Sequence, residues 1–563
     1  MSSLEETPRA KSNEGGPTAL VVGAGPVGLL AASELIRHGL DCRVVDPKAG
    51  PTPTDESRAL AVHARTLEIL DTLGEAEAFL ARGRAIRGTS LHRSDGGIAA
   101  TVDVAAALRA RGTPFPMILS LPQGRTERLL LDRLRRLGGS VEWGTRLSGL
   151  QQNGAGVLAD LETGTGATET FRADWLIGCD GAHSAVRHAL GLSFSGAVYA
   201  ETFYLTDATL DWKISDDHAH LLPLPDGPVL ALPLPDPGRW RLVALSGPDV
   251  SPGLSAATDY FQGVLRRGGF ASVRMTDPTW ASTFRIHRRV VDRFRVGRCL
   301  IAGDAAHIHS PAGGQGMNTG LQDAMNLAWK VGLVASGVAP EGLLDSYEAE
   351  RRPVVAGVLR RTDRITRLVT LRNPVAKAAR DAILGLVTGL AFVRRRAAAE
   401  LSQLDVNYEG SPIVAEDAPC HAPGPRPGDR APDLALGEGV ESRFYQMLRG
   451  TEHTLLLFPG APADAPALAR ASEIAGAVAP GRVIRHLVTE AKDATPPPGA
   501  SPLHDPEGRI RRGFGVSGAS LYLIRPDTYV GYRALPPDPT GFERYLTRVF
   551  RAASHSGAAV PNA

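Results

Sequence analysis

A short apolar strand that runs straight into a glycine turn and then a helix leaves a chain few folds to choose from, and this chain opens with such a unit. Thr18 to Val22 is apolar and valine-rich; Gly23-Ala24-Gly25-Pro26-Val27-Gly28 follows at once, and Leu29, Leu30, Leu35 and Ile36 continue at helical spacing. His38-Gly39 ends the helix with a glycine suited to a left-handed cap, and Cys42 to Val45 reads as the next strand, closing on Asp46. The unit is βαβ. Gly23 makes the turn, Gly25 lets the backbone approach a pyrophosphate, and Gly28 brings helix against strand. Pro26 and Val27 open the helix, whose N-terminus faces the phosphates. Asp46, twenty-three residues after Gly23, is placed to accept hydrogen bonds from an adenosine ribose. The motif predicts a dinucleotide without choosing between NAD and FAD; a purely structural glycine turn is the competing reading.

With 563 residues the chain exceeds one ordinary core, and roughly three structural units are expected. Sixty-two basic against 60 acidic residues give a net charge of +2, too balanced for a field that recruits nucleic acid, so a small-molecule partner is expected. Cys42, Cys179, Cys299 and Cys420 lie far apart with no CxxC, against a disulfide framework, a zinc site or a dithiol centre. No metal is expected, and a reducing cytoplasm fits. Residues 1–17 are polar and read as a disordered tail. The apolar run Ala382 to Val393 has about a dozen residues where a membrane span needs about twenty, so no integral membrane segment is expected.

Two later segments repeat the strand-to-turn pattern. Trp175 to Cys179 runs into Asp180-Gly181-Ala182-His183-Ser184-Ala185-Val186-Arg187, with a capping glycine at Gly191. Cys299 to Ala302 runs into Gly303-Asp304 and then the glycine-dense stretch His307-Ile308-His309-Ser310-Pro311-Ala312-Gly313-Gly314-Gln315-Gly316-Met317-Asn318. In this order the three motifs resemble the single-component flavoprotein aromatic hydroxylases of the para-hydroxybenzoate hydroxylase type, and most closely their phenol- and aromatic-polyketide-hydroxylating branch. That resemblance implies FAD. It places Asp304 on the ribityl chain, and Asp180 and Arg187 near both FAD and the nicotinamide coenzyme. Ser57-Arg58-Ala59, followed by Arg65-Thr66-Leu67-Glu68, is similar to the family segment whose arginine contacts flavin and pyrophosphate, which assigns that role to Arg58. Gln123, with Glu127 and Leu130 at helical spacing, resembles the family helix whose glutamine reaches FAD; a surface helix cap is the alternative. Leu147 is assigned to adenine through its backbone.

After Gly313-Gly314 a helix is expected from about 316 to 335, with Leu321, Ala324, Ala328, Val331 and Val334 on its apolar face. Its N-terminus would present backbone donors of Gly316, Met317 and Asn318, and the partial positive charge of a helix end, to the anion that develops on reduced flavin. Gly314 keeps that approach clear of side chains. The resemblance implies that NADPH or NADH, docking transiently because no second GxGxxG is present, reduces the flavin. O2 then forms a C4a-hydroperoxyflavin, and one oxygen atom passes to an electron-rich ring. Pro311, fixed in φ, is expected as a wall beside the reacting oxygen. His307 and His309 invite acid–base work, although histidines in such a turn are more often structural. Tyr204 and Asp207, in the segment Glu201 to Leu210, are candidates to bind or polarise a substrate hydroxyl, against core or edge-strand packing.

The expected fold is α/β. A Rossmann-like FAD-binding domain takes 18–80, 115–195 and 284–340, and a β-sheet substrate domain takes 81–114 and 196–283. A helical connector and linker runs over 341–419; residues 420–552, through Arg430-Ala431-Pro432 and Leu523-Ile524-Arg525-Pro526-Asp527, resemble the thioredoxin-like C-terminal domain of the larger hydroxylases but lack CxxC, and a tail follows at 553–563. In the substrate domain, Leu221, Leu222, Leu224, Leu230, Leu232 and Leu234 would form an apolar face for an aromatic substrate. The connector's arginines, Arg351, Arg352 and Arg360 among them, read as solvated faces. The Pro/Gly-rich segment Pro423 to Pro432 opens the last domain, for which a packing or homodimer role is the default. Ring hydroxylation, epoxidation, Baeyer–Villiger insertion and oxidative dearomatisation share this machinery and stay open. A flavin halogenase would carry WxWxIP, which does not occur. A non-catalytic FAD-stabilised binding module is the reading from another class.

Overall fold

The computed structural model describes residues 18–551 except 55, 57, 94, 223–226, 247–252, 311–312, 370–401, 420, 437–442 and 492. The apolar run at 382–393 and the proline at 311 therefore lie outside the described residues. A six-stranded sheet runs in the order Arg295–Val296, Cys299–Ile301, Trp175–Gly178, Thr18–Val22, Asp41–Asp46, Val141–Trp143. All neighbours are parallel except the first pair. Ala19, Leu20, Val21, Leu176, Ile177 and Leu300 are fully buried, as expected of a parallel sheet covered on both faces. This order brings three separated sequence motifs together. The turns after Val22, Gly178 and Ile301 leave the carboxyl ends of three adjacent parallel strands, where ligands bind in such sheets.

Helix Gln315–Ala335 packs beside helix Pro26–Arg37 on this sheet, and both bury most of their residues. A three-stranded antiparallel sheet, Thr145–Asn153, Gly156–Thr163 and Thr168–Ala173, carries Leu147.

An eight-stranded sheet combines Gly88–His92 and Ile98–Asp103 with Phe194–Leu210, His218–Leu222, Val229–Pro233, Arg239–Ser246, Met275–Val291 and His307–Ile308. Met275–Val291 crosses the boundary expected at 283–284 without interruption. His307–Ile308 pairs with its far end, so the chain leaving Asp304 is stitched directly to this sheet. Helix Leu254–Arg267 covers one face, burying Tyr204, Ala208, Leu222, Val229, Ala231 and Leu242.

Residues from 415 onward build another six-stranded sheet, ordered Ala415–Asp417, Val530–Ala534, Ser520–Ile524, His453–Phe458, Val483–Thr489, Ser501–His504. Helices Ala465–Val478 and Pro539–Val549 pack on it, and Trp329 and Leu333 of helix Gln315–Ala335 join their hydrophobic cluster. Helix Asp345–Val369 departs from the solvated character expected of the connector. Arg351 is fully buried, because the helix packs that face on helix Gln315–Ala335, whereas Arg352 is exposed beside Glu348. Among the described residues no helix is long and apolar enough to cross a membrane.

Candidate active site

The first glycine turn divides its labour as steric arithmetic requires. Gly23 has φ +101°, and a Cβ there would stand 2.4 Å from the Cys179 carbonyl oxygen; one on Gly28 would stand 1.8 Å from the Gly23 carbonyl oxygen. Both positions are closed by protein. Gly25 differs: nothing lies within 4 Å of where its Cβ would be, and as N-cap of helix Pro26–Arg37 it offers no side chain to the helix end. Asp46 steadies this turn, one oxygen accepting from the Ala24 N–H at 2.7 Å and the other from the Lys48 N–H at 2.8 Å. Val27 fills the gap toward the third motif, its Cγ2 lying 3.0 Å from where a Gly303 Cβ would stand.

Asp304 stands beside this turn on a short 3-10 turn, with Gly303 at φ +60°. Its side chain is exposed, yet the protein crowds it enough that burial pushes its carboxyl above the ordinary range, against the opposing pull of His307. Asp180 accepts from the Val186 N–H at 3.1 Å with one oxygen, while the other is buried with no partner. Burial raises its carboxyl too, with hydrogen bonds from Ser184 and Val186 opposing. Arg187 turns away into protein: it donates to the carbonyls of Ala305 at 3.1 Å and Ala182 at 2.8 Å and lies over the Phe194 ring. It thereby ties the Asp180 turn to the Asp304 turn. Open space above Gly25, an orphaned oxygen on Asp180 and an exposed Asp304 carboxylate beside them fit a dinucleotide laid across the three strand ends.

The glycine loop is held from below by segment 61–66, in which Ala61 and His63 belong to no recognisable motif. Gly313 and Gly314 have φ +83° and +63°, and a Cβ on Gly314 would meet the Ala61 Cβ at 2.7 Å. The Nε2 of His63 faces the carbonyls of Gly313 at 2.8 Å and Gly314 at 3.2 Å, so that nitrogen carries the proton. Asn318 is fully buried, and its amide is spent on protein. It accepts from the His63 N–H and the Thr66 hydroxyl and donates to the carbonyls of Ala61 and Gly314. Its side chain thus buckles the loop to segment 61–66, and the donors left at the helix end are backbone N–H groups near Gly316 and Met317.

His307 is buried, and its Nδ1 has no partner. Its Nε2 bonds Asp323 at 2.7 Å, and Asp323 also accepts from the Gly303 N–H at 3.1 Å and from Arg351 Nε at 2.6 Å. His309 faces the Ser310 carbonyl with Nδ1 and leaves Nε2 buried without a partner. Burial lowers His63 and His309 to about 4 each, their carbonyl partners opposing. The sign is clear: unfolded histidine takes up a proton near pH 6.5 and these two do not, so stability is complete above that pH and declines as pH falls toward 4. Each histidine should cost about 2 kcal/mol by pH 5. Because His63 holds the Gly313 and Gly314 carbonyls and His309 lies against Gly316, acidification from pH 7 to 5 is expected to release FAD, seen as a rise in flavin fluorescence; an unchanged flavin signal at pH 5 contradicts this.

The remaining candidates divide by location. Arg58 is exposed and pairs with Glu56 at 2.8 Å, while its carbonyl accepts from Arg241 at 3.2 Å. Gln123 accepts from the Ala59 N–H at 3.2 Å and donates to Glu127, fixing its helix to the Arg58 segment. Leu147 is buried in its strand. Tyr204 lies under helix Leu254–Arg267, its hydroxyl donating to the Gly253 carbonyl and its ring against Tyr260 and Phe261. Asp207, on the opposite face, holds Arg241 through two bonds of 2.8 and 2.9 Å.

Strand parity also revises the leucine face. Leu222 points with Val229 into the helix-covered core, and the residue at 224 lies outside the described region. Leu205, Val243, Leu230 and Leu221 are cross-strand partners in one row on the Asp207–Arg241 face. Among the described residues no helix buries that row: Val243, Leu230 and Leu221 stay half-buried. It forms an apolar wall whose edge, through Arg241, reaches the Arg58 segment.

A Rossmann-type sheet with three strand-end motifs beside an apolar antiparallel sheet suits a dinucleotide and an apolar substrate, and the relatives of this chain make it an FAD-dependent aromatic monooxygenase. The chain belongs to the family described as "FAD binding domain", which matches residues 17–362. It is 39% identical over 531 residues to 6-methylpretetramide 4-monooxygenase of Streptomyces rimosus, covering 92% of this chain and 90% of that protein. It is 31% identical over 530 residues to pentachlorophenol 4-monooxygenase of Sphingobium chlorophenolicum, covering 92% and 93%. Among solved structures, the anhydrotetracycline hydroxylase OxyS from Streptomyces rimosus superposes with a TM-score of 0.73 at 30% identity, covering 95% of this chain and 99% of that one.

Proposed function

We propose that the chain hydroxylates a phenolic, fused-ring polyketide, taking two electrons from NADPH and one oxygen atom from O2 and releasing water and the oxidised coenzyme. The observation that carries the substrate class is the row Leu205, Val243, Leu230 and Leu221, an apolar wall across four neighbouring strands in which the last three residues stay half-buried. The names of the tetracycline-pathway relatives support it.

Bound FAD supplies hydride acceptance and oxygen activation. The protein's part is to hold and shield. Gly23, Gly25, Pro26, Val27 and Gly28 take the pyrophosphate, Asp46 the adenosine ribose, Leu147 the adenine edge, and Asp304 the ribityl hydroxyls. Backbone N–H groups at Gly314, Gly316 and Met317 oppose negative charge on the pyrimidine ring, and Asn318 and His63 keep that loop in place. Arg58 would contact the flavin, and Gln123 would hold the Arg58 segment in place for it. Asp180 and Arg187 brace the ribityl side and the coenzyme approach. His307 acts through Asp323 as a loop anchor, and Asp207 acts through Arg241, so neither a dedicated base nor Tyr204 is required. The C-terminal unit is read as thioredoxin-like, and the enzyme as a cytoplasmic homodimer without nucleic-acid partners.

The test is anaerobic mixing of the yellow protein with NADPH, with and without fused-ring phenols, followed by turnover in labelled O2 and mass spectrometry. Bleaching accelerated by such phenols, and one labelled atom in the product, are expected. No bleaching by NADPH or NADH with any phenol removes the proposal; an inserted ring oxygen or an epoxide redirects it to Baeyer–Villiger or epoxidising chemistry.

A further inference from the structure

The C-terminal unit carries no cysteine pair, yet one of its turns is wired into the catalytic half by buried ions. Residues Arg525 to Thr528 join strands Ser520–Ile524 and Val530–Ala534, and Thr528, a buried β-branched residue, sits at φ +67°. That backbone is costly for such a side chain and persists only where surroundings over-determine it. The surroundings are three helices. Arg65, fully buried on helix Ala64–Thr72, donates to the Asp527 carbonyl at 3.1 Å and the Thr528 hydroxyl at 2.7 Å. Asn326 and Trp329, on helix Gln315–Ala335, donate to the Asp527 carboxylate at 3.3 and 3.2 Å. Arg525 grips Glu350 of helix Asp345–Val369 through two bonds of 2.6 and 2.9 Å, and Glu350 in turn holds Lys330 at 2.6 Å.

Two of those helices begin at the flavin loop. His63 is the N-cap of one and Gly314 the N-cap of the other, and His63 bonds the Gly313 and Gly314 carbonyls. Arg65 is two residues from His63, and Asn326 is eight from Asn318, about 12 Å along the helix. A turn needed only for packing would be served better by apolar residues, since buried ion pairs add little net stability; what they fix is relative position.

We propose that the Arg525–Thr528 turn is a positioning element of the flavin site. By pinning Arg65 and Asn326 it sets the spacing of the two helix ends that carry His63 and Gly314, and so the C-terminal unit governs FAD affinity and the coupling of NADPH oxidation to hydroxylation. Arg65 and Asp527 are its positioning residues. This rests on the reading that the Gly313–Asn318 loop lies against the flavin.

The experiment compares four full-length variants: Asp527→Ala, Asp527→Asn, Leu468→Ala and Gly314→Ala. Leu468 is buried in the C-terminal core, away from the turn, and its variant reports general destabilisation. The readouts are thermal stability, FAD dissociation constant and the share of NADPH appearing as hydrogen peroxide. Asp527→Ala is expected to weaken FAD binding about tenfold and raise the peroxide share, while Leu468→Ala, with comparable loss of stability, changes neither. Should Asp527→Ala fail to fold, the isosteric Asp527→Asn carries the measurement, with a smaller change in the same direction. Equal effects in the Asp527 and Leu468 variants, or no change in FAD affinity and coupling at Asp527, overturn the inference alone. Gly314→Ala checks the underlying reading: if it too leaves both readouts untouched, the loop is not a flavin contact and both fall together.

Discussion

Gly25→Val should purify as a folded, colourless protein. The φ of Gly25 is −75° with ψ −178°, a conformation open to valine, and nothing in the chain lies within 4 Å of the new Cβ. The folded apoprotein therefore loses no contact. What the branched side chain occupies is the space through which a pyrophosphate reaches the helix end. FAD content, read from the flavin absorbance relative to protein absorbance, is expected to fall at least about tenfold with circular dichroism unchanged, since a clash with a phosphate exceeds about 1.4 kcal/mol. Gly28→Ala is the contrasting case, because its Cβ would strike the Gly23 carbonyl oxygen and the turn itself must open. That variant is expected to lose stability along with the cofactor. A yellow Gly25→Val protein with normal FAD content would show that this glycine does not face the cofactor.

The contrast marks how far a sequence carries. Apolar runs ending in Gly23, Asp180 and Gly303 were legible because each is a local pattern: a buried parallel strand has nothing but apolar residues, and the turn leaving it needs glycine or a capping acid. Their convergence followed from the family resemblance and is realised by the strand order, which places Trp175–Gly178 between the other two. Parity was legible in principle at Tyr204 and Asp207, three residues apart and so on opposite faces. Which face meets helix Leu254–Arg267 is a tertiary fact. The supports of the glycine loop left a fainter trace. Thr319, Asp323, Asn326 and Lys330 follow one another at spacings of four, three and four on a helix otherwise full of alanine, leucine and valine. Such a polar stripe inside an apolar helix marks a buried network. Its partners, Arg351, Glu350 and Asp527, come from distant segments, and no local pattern joins them.

Asp323→Ala is expected to be the most damaging side-chain change among these supports. The wild-type carboxylate is fully buried, accepting from Arg351 with one oxygen and from His307 and the Gly303 N–H with the other. Removing it strands the Arg351 guanidinium on two neutral acceptors, the Tyr408 hydroxyl at 3.0 Å and the Thr319 carbonyl at 3.0 Å. Breaking a buried pair from one side costs about 3–5 kcal/mol, and here the same carboxylate also fastens the turn that presents Asp304. Asp323→Asn is no remedy, because an amide cannot accept from Arg351, His307 and Gly303 at once without turning its own N–H toward a donor. Both variants should unfold earlier in urea and lose FAD, the alanine form more severely. The pH dependence separates this residue from the histidines. Burial alone would raise the Asp323 carboxyl, but Arg351 and then His307 outweigh it and hold it below the usual range. Its contribution is therefore complete above about pH 4, where an unfolded aspartate has ionised, and is lost only as pH falls through the lower folded value. Stability lost between pH 6.5 and 4 belongs to the buried histidines held below their ordinary value, His38, His220 and His453 as well as His63 and His309, and should persist in Asp323→Ala, whereas the further decline below pH 4 should flatten. An unfolding curve for Asp323→Ala that matched the wild type at pH 7 would contradict the anchoring role assigned to this carboxylate.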